Sequence, residues 1–176
     1  MTARERVLRM TTGLAIIALG SNQGDARRQV REAIGRLAEL SAAPLRVSSL
    51  WETAPVDCPP GSPPFVNAVV ALTPFPAESP ESLLAKLQAM EKAFGRRPKQ
   101  VLNEPRPLDL DLIAFGAERR NTPGLTLPHP RAHRRRFVLA PLAEILPDLV
   151  LPGQRQTVAG LLAALRSDEQ IRKILA

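Results

Sequence analysis

Asn103-Glu-Pro-Arg-Pro-Leu-Asp-Leu-Asp-Leu-Ile-Ala-Phe-Gly116 is the stretch whose reading decides the fold. From Leu108 to Leu112 apolar and acidic residues alternate strictly. That period of two belongs to a β-strand with one buried face, and it places Asp109 and Asp111 side by side on the other. Same-face residues of a strand lie about 6.6 Å apart at Cα, near enough for two carboxylates to converge on divalent metal. Two-metal sites hold their ions roughly 3.5–4 Å apart, and Mg²⁺ with a polyphosphate is the natural occupant. A half-exposed strand with an acidic outer face would carry the same Asp-x-Asp. The surrounding cations favour the metal reading: Arg96, Arg97, Lys99 and Arg106 precede the pair in a proline-punctuated segment, and cations beside metal-binding carboxylates suit a triphosphate.

Working back toward the N-terminus, Pro80 opens a helix to Phe94 with Leu83, Leu84, Leu87, Met90 and Phe94 as its apolar stripe, and Gly95 ends it. Gln88 and Glu91 lie together beside that stripe and read, on pattern, as solvent-facing. Residues 65–72 form a strand on which Phe65, Asn67 and Val69 share a face. An aromatic ring and an amide placed this way could stack on and hydrogen-bond a flat heterocycle, although Phe65 equally fits a core position. Residues 52–64 contain five prolines and a glycine in thirteen positions and can only be a loop, of a length that is commonly functional. Residues 45–51 alternate moderately as a strand, with Trp51 as a packing residue. Leu14 to Leu19 is a short apolar run, the pattern of a buried strand. Gly20-Ser-Asn-Gln-Gly24 then turns the chain into a helix capped by Asp25, with Val30, Ala33, Ile34, Leu37 and Ala38 inward. That turn lacks the spacing of a phosphate-binding loop.

Downstream of Gly116 the chain is polar and turn-like to Thr126. His129 then sits between two prolines and is followed by four arginines, Arg131, Arg134, Arg135 and Arg136. It is either an ordinary loop histidine or a phosphate contact. Residues 138–146 read as a short helix with Pro141 near its first turn, and Thr157 caps a last helix burying Val158, Leu161, Leu162 and Leu165. The order β-α-β-β-α-β with a C-terminal extension is ferredoxin-like, an α+β fold with a mostly antiparallel sheet and helices on one face. Residues 13–176 are expected to form one domain behind a flexible, dispensable tail at 1–12, with Met10 as an alternative start.

Composition narrows the function classes. The chain has 176 residues, 18 prolines, no tyrosine and 3% aromatics, with a formal net charge of +7 and a pI near 10.9. Positive charge attracts anions in general, but a base-stacking surface would use more aromatic residues. The single cysteine, Cys58, excludes a disulfide framework and suits a reducing cytoplasm. The N-terminal apolar run is too short for a secretion signal and no membrane span follows.

The run Pro105-Arg106-Pro107-Leu108-Asp109-Leu110-Asp111, with Leu127-Pro128-His129-Pro130 and Arg135-Arg136-Phe137-Val138-Leu139, resembles the 6-hydroxymethyl-7,8-dihydropterin pyrophosphokinases of folate biosynthesis. Gly20-Ser21-Asn22 and Phe65-Val66-Asn67 fit the same pattern, so the resemblance spans residues 14–150. It implies transfer of pyrophosphate from the co-substrate ATP to the pterin. It also implies two Mg²⁺ ions on Asp109 and Asp111, with Arg96 and Arg106 neutralising the moving phosphates and His129 and Arg135 holding them from the other side. Gln88, Glu91, Leu112 and Thr126 would face the nucleotide. Phe65 and Phe137 would sandwich the pterin, Asn67 would bond its edge, and Thr53, Ala54 and Val56 would complete that pocket. The two long loops are expected to stand open until phosphates relieve the repulsion among the cations of the second, residues 96–107. Asn103 stands where the family often has tryptophan, and Gly124 where some members have arginine. The expectation is a cytoplasmic monomer acting on small molecules, with neither nucleic acid nor membrane as partner. The alternatives are a two-metal nucleotidyltransferase, which would release pyrophosphate, and an RNA-binding ferredoxin-like domain.

Overall fold

The apolar run after Leu14 becomes β1 (Ala15–Ser21), buried along its whole length because it is paired on both sides. One neighbour is β4 (Phe65–Leu72) and the other β5 (Asp109–Phe115), both antiparallel. The computed structural model describes residues 13–175, and the expected N-terminal tail lies outside them. Strand β3 (Trp51–Thr53) pairs with β4, and β8 (Ile171–Lys173) adds to β3, giving the order β5-β1-β4-β3-β8. Its first four members have the ferredoxin-like arrangement. The strand expected at 45–51 is split into β2 (Arg46–Val47) and β3. Between them the Ser48 hydroxyl accepts the Val69 N–H at 2.9 Å, so a side chain replaces a ladder bond and the strand breaks.

Helix α1 (Ala26–Ala38) starts at Asp25, whose carboxylate accepts the Arg28 N–H at 3.1 Å. Helix α2 (Pro80–Ala93) starts at Ser79 with a reciprocal cap to Ser82. Both lie on one face of the sheet, as the ferredoxin-like order requires, and bury Val30, Leu37, Leu83 and Leu87 against Leu19, Val70, Leu110 and Leu112. Each such side chain contributes about 1.5–3 kcal/mol when fully buried. After β5 comes a short hairpin of β6 (Arg120–Asn121) and β7 (Thr126–Leu127). Then α3 (Arg136–Ile145) and α4 (Val158–Ala164) cover the opposite face, packing Leu139, Leu142 and Val158 against Ile16, Val69 and Ile113. α3 begins two residues earlier than its sequence indicates, so Pro141 lies in its interior rather than near its first turn. The cause is a cap supplied from far along the chain: Glu169 accepts the N–H groups of Arg136 and Phe137. No helix among the described residues is long and apolar enough to cross a membrane.

Candidate active site

Helices α3 and α4 cover only part of their face of the sheet. The uncovered part becomes the floor of a cavity of about 400 Å³. Pairing register assembles it: Gly20 lies opposite Asn67 on one side and Asp109 on the other, Ala18 lies opposite Asp111, and Thr53 lies opposite Phe65. Gly20 is a floor residue of β1 rather than part of the turn. A Cβ there would stand 3.1 Å from Asn67 Oδ1 and 3.9 Å from Phe65 Cδ1. With Ala18 beside it, the floor is low enough for a flat ring.

At one end the cavity is lined by Phe65, Phe137, Asn67, Thr53, Ala54 and Val56. Asn67 is 5% exposed, and its Nδ2 donates to the Thr53 hydroxyl at 2.8 Å. That bond fixes the amide and leaves its carbonyl oxygen and second hydrogen for the edge of a ligand.

The other end is charged. Arg96 bonds both Glu91 and Asp109, the latter at 2.7 Å, and Arg106 reaches the second Asp109 oxygen at 3.2 Å. Arg135 stands 3.9 Å from Asp111. Burial, and then the neighbouring Asp109 charge, push the Asp111 carboxyl up to about 6, against the pull of Arg135, Arg96 and Arg106. Glu91 is 8% exposed and accepts the Leu110 N–H at 2.7 Å, between the two aspartates. Burial raises it to about 7, although the Leu110 N–H and Arg96 favour its charge. His129 is fixed by its N–H to the Ile113 carbonyl on the open edge of β5, at 2.8 Å. Its Nδ1 accepts the Arg131 N–H at 3.2 Å. This assigns the proton to Nε2, a donor for an anion. Burial, with Arg135 and Arg131, lowers its pKa to about 4.

Two loops close the sides. Asn22, 1% exposed, holds both: its Oδ1 accepts the Arg106 N–H at 2.9 Å and its Nδ2 donates to the Pro63 carbonyl at 3.3 Å. Repulsion does not hold Arg96 and Arg106 outward. Asp109 lies between them and already draws both in.

Twelve of the sequence-derived candidates line this one cavity: Thr53, Ala54, Val56, Phe65, Asn67, Arg96, Arg106, Asp109, Asp111, His129, Arg135 and Phe137. Four do not. Leu112 is buried on the opposite face of β5, among α1 and α2 residues. Glu91 is enclosed beneath Arg96 rather than solvent-facing, and Gln88 and Thr126 are exposed away from the cavity lining. Sequence reasoning missed Gly20 as floor and Asn22 as clamp, because Gly-Ser-Asn looks like any turn. It also missed Glu169, for which no local pattern exists.

The model of the 7,8-dihydro-6-hydroxymethylpterin-pyrophosphokinase family matches residues 16–147. The chain belongs to that family. The 2-amino-4-hydroxy-6-hydroxymethyldihydropteridine pyrophosphokinase of Pseudomonas aeruginosa is 41% identical over 149 residues, 84% of this chain and 89% of that one. The protein of the same name from Synechocystis is 38% identical over 148 residues, 84% of this chain and 74% of that one. A crystal structure of wild-type Plasmodium falciparum HPPK-DHPS with pteroate shares the fold, with a TM-score of 0.67 at 15% identity over 86% of this chain. This chain spans 42% of that longer one.

In this pyrophosphokinase family member, Asp109 and Asp111 are a donor set suited to Mg²⁺. Among the described residues no third carboxylate, histidine or cysteine joins them, and Mg²⁺ is typically held by one or two carboxylates with water and phosphate oxygens supplying the rest. Burial, and after it the Asp109 charge, disfavours the ionised Asp111 carboxylate, and a bound cation would offset both.

Proposed function

We infer that this chain transfers the β,γ-pyrophosphoryl unit of ATP to the hydroxymethyl oxygen of 6-hydroxymethyl-7,8-dihydropterin. The new bond joins that oxygen to the β-phosphorus, and the bond to the α,β-bridging oxygen breaks. AMP leaves with that oxygen, and the hydroxyl proton is lost to solvent. The observation that carries this reading is the shape of this cavity, in which an aromatic-and-amide end adjoins an end with Asp109, Asp111 and four arginines. A flat heterocycle at the first end presents its side group to a polyphosphate at the second.

Each side chain has a task. Phe65 and Phe137 stack on the ring and Asn67 bonds its edge over Gly20. Asp109 and Asp111 would hold Mg²⁺, which would supply charge neutralisation on the phosphates and a lowered pKa for the attacking hydroxyl, so that no side-chain base is required. On ATP binding, Arg96 and Arg106 would exchange their shared partner Asp109 for phosphate oxygens. The Arg106 Nε, buried without a hydrogen-bond partner, suits that exchange. His129 Nε2 and Arg135 hold the phosphates from the other side. Glu91 does not touch the nucleotide; it aligns Arg96 and the backbone between the aspartates. The protein acts as a cytoplasmic monomer.

Product analysis tests the reading. Incubation with ATP, Mg²⁺ and the pterin should yield AMP and the pterin diphosphate in equal amounts. Release of pyrophosphate with a nucleotidylated pterin would identify a nucleotidyltransferase instead.

A further inference from the structure

The C-terminal segment reaches the cavity from outside residues 16–147, where the family match lies. β8 docks on β3 with Ile171 opposite Thr53, and the Ala54 N–H donates to the Gln170 carbonyl at 3.3 Å. Glu169 and Gln170 therefore stand beside the Thr53–Ala54 wall, and both line the cavity. The Glu169 N–H is held by the Ser167 hydroxyl at 3.1 Å.

From this anchor the Glu169 carboxylate crosses to the opposite wall. The first N–H groups of a helix have no partner within it, and Arg135, at the cap position of α3, supplies no side-chain bond. The Val138 and Leu139 N–H groups are accepted by the Arg135 carbonyl at 3.1 and 3.0 Å. The two that remain, of Arg136 and Phe137, are both accepted by Glu169 Oε2, at 2.7 and 3.3 Å. An anion at a helix N-terminus is also favoured by the helix dipole. One carboxylate oxygen thus spans 32 and 33 residues of sequence and ties the residue that carries the Phe137 ring to the wall that carries Thr53.

We propose that Glu169 is a positioning residue for the ring-binding end of the cavity: by capping α3 it sets the separation between Phe137 and the β3 wall. The proposal rests on the reading of Phe137 as a pterin contact. Without the cap, the first turn of α3 frays and Phe137 no longer stands at one fixed distance from Phe65. The ATP contacts Arg96 and Arg106 at the β5 end are spared, and Arg135, whose N–H donates to the Ala132 carbonyl at 3.3 Å, keeps its anchor in the preceding turn.

The test compares the full chain with E169A and E169Q, by steady-state kinetics in both substrates and by hydrogen exchange. In E169A the KM for pterin rises about fivefold, the effect of losing a helix cap worth about 1 kcal/mol, while the KM for ATP and kcat stay near the parent's. The Arg136 and Phe137 amides exchange faster. In E169Q the amide oxygen accepts the same two N–H groups and restores both readouts. An unchanged pterin KM in E169A, a parallel rise in both KM values, or no restoration by E169Q overturns the proposal. Should E169A fail to fold, E169D decides: it keeps the charge but falls one methylene short, so a selective rise in pterin KM supports the proposal and an unchanged value overturns it. A parent chain that forms no AMP overturns the pyrophosphokinase reading and this proposal with it. Normal AMP formation with an unaffected pterin KM overturns the role of Glu169 alone.

Discussion

The Asn103 Nδ2 amide donates to the Asp57 carbonyl at 2.8 Å, joining the two long loops that wall the cavity. Both residues have positive φ, 54° and 53°, so each sits at the apex of a sharp turn where asparagine and aspartate are tolerated best. Both residues line the cavity, and the Asn22 clamp joins the same two loops at Pro63 and Arg106. N103A should loosen closure without unfolding the domain. A net hydrogen bond is worth about 0.5–1.5 kcal/mol, so a rise in substrate KM of about two- to tenfold is expected. Hydrogen exchange at residues 52–64 and 96–107 should slow when a non-hydrolysable ATP analogue binds, slow further with pterin, and slow less in N103A. Loops that exchange alike with and without ligand would make them static walls.

Asp109 and Asp111 differ in what they do before any ligand arrives, and their variants should differ accordingly. Turnover should fall by at least about 10² in D109N and D111N, the loss typical of one well-placed electrostatic group in an active site. Stability should separate them. D109N strips Arg96 and Arg106 of their shared partner and lowers Tm. D111N removes a carboxylate that burial and Asp109 already disfavour and leaves Tm equal or higher. Near-normal turnover at saturating Mg²⁺ in either variant would exclude the metal role.

Phe65 and Phe137 are half-buried and border the cavity. A true core Phe→Ala change costs about 3–5 kcal/mol. F65A should weaken pterin binding with a small change in Tm, whereas F137A, whose ring also packs against the α3 cluster, should lower both. Calorimetry that finds normal pterin affinity and a collapsed Tm in F65A would return Phe65 to the core.

Gly20 offers a steric test. G20A places a methyl group 3.1 Å from Asn67 Oδ1, closer than the amide accommodates without shifting. The pterin KM should rise while the ATP KM does not, because Asp109 lies on the other side of β1. Equal effects on both substrates would show a general distortion of the sheet instead.

His129 and Glu91 make opposite contributions to stability against pH. His129 is lowered from 6.5 to about 4, so the unfolded chain binds the extra proton in that window. Its contribution is complete above 6.5 and is lost as pH falls toward 4. Glu91 is raised from 4.5 to about 7. The folded chain binds the extra proton, so its contribution is complete below 4.5 and is lost as pH rises through 7. In the parent the two offset each other between pH 4.5 and 6.5. H129Q should therefore grow relatively more stable than the parent as pH falls, and E91Q as pH rises. An NMR midpoint for His129 near 6.5 would remove this account.

What the sequence determined by itself was everything that depends on local period and local chemistry. Alternation fixed the aspartates on one face of β5, glycine and proline marked the loops, Asp25, Ser79 and Thr157 marked helix starts, and short ordered motifs identified the family. Tertiary structure decided what lies between segments. Gly20 became a floor because β4 and β5 pair on either side of it, and Glu91 became buried because β5 passes over the end of α2 and offers it the Leu110 N–H. The start of α3 shifted because its cap arrives from residue 169. Local pattern cannot carry such information, since a hydrogen bond between residues 33 positions apart leaves no periodic trace in either segment. Only packing of the sheet brings the two together.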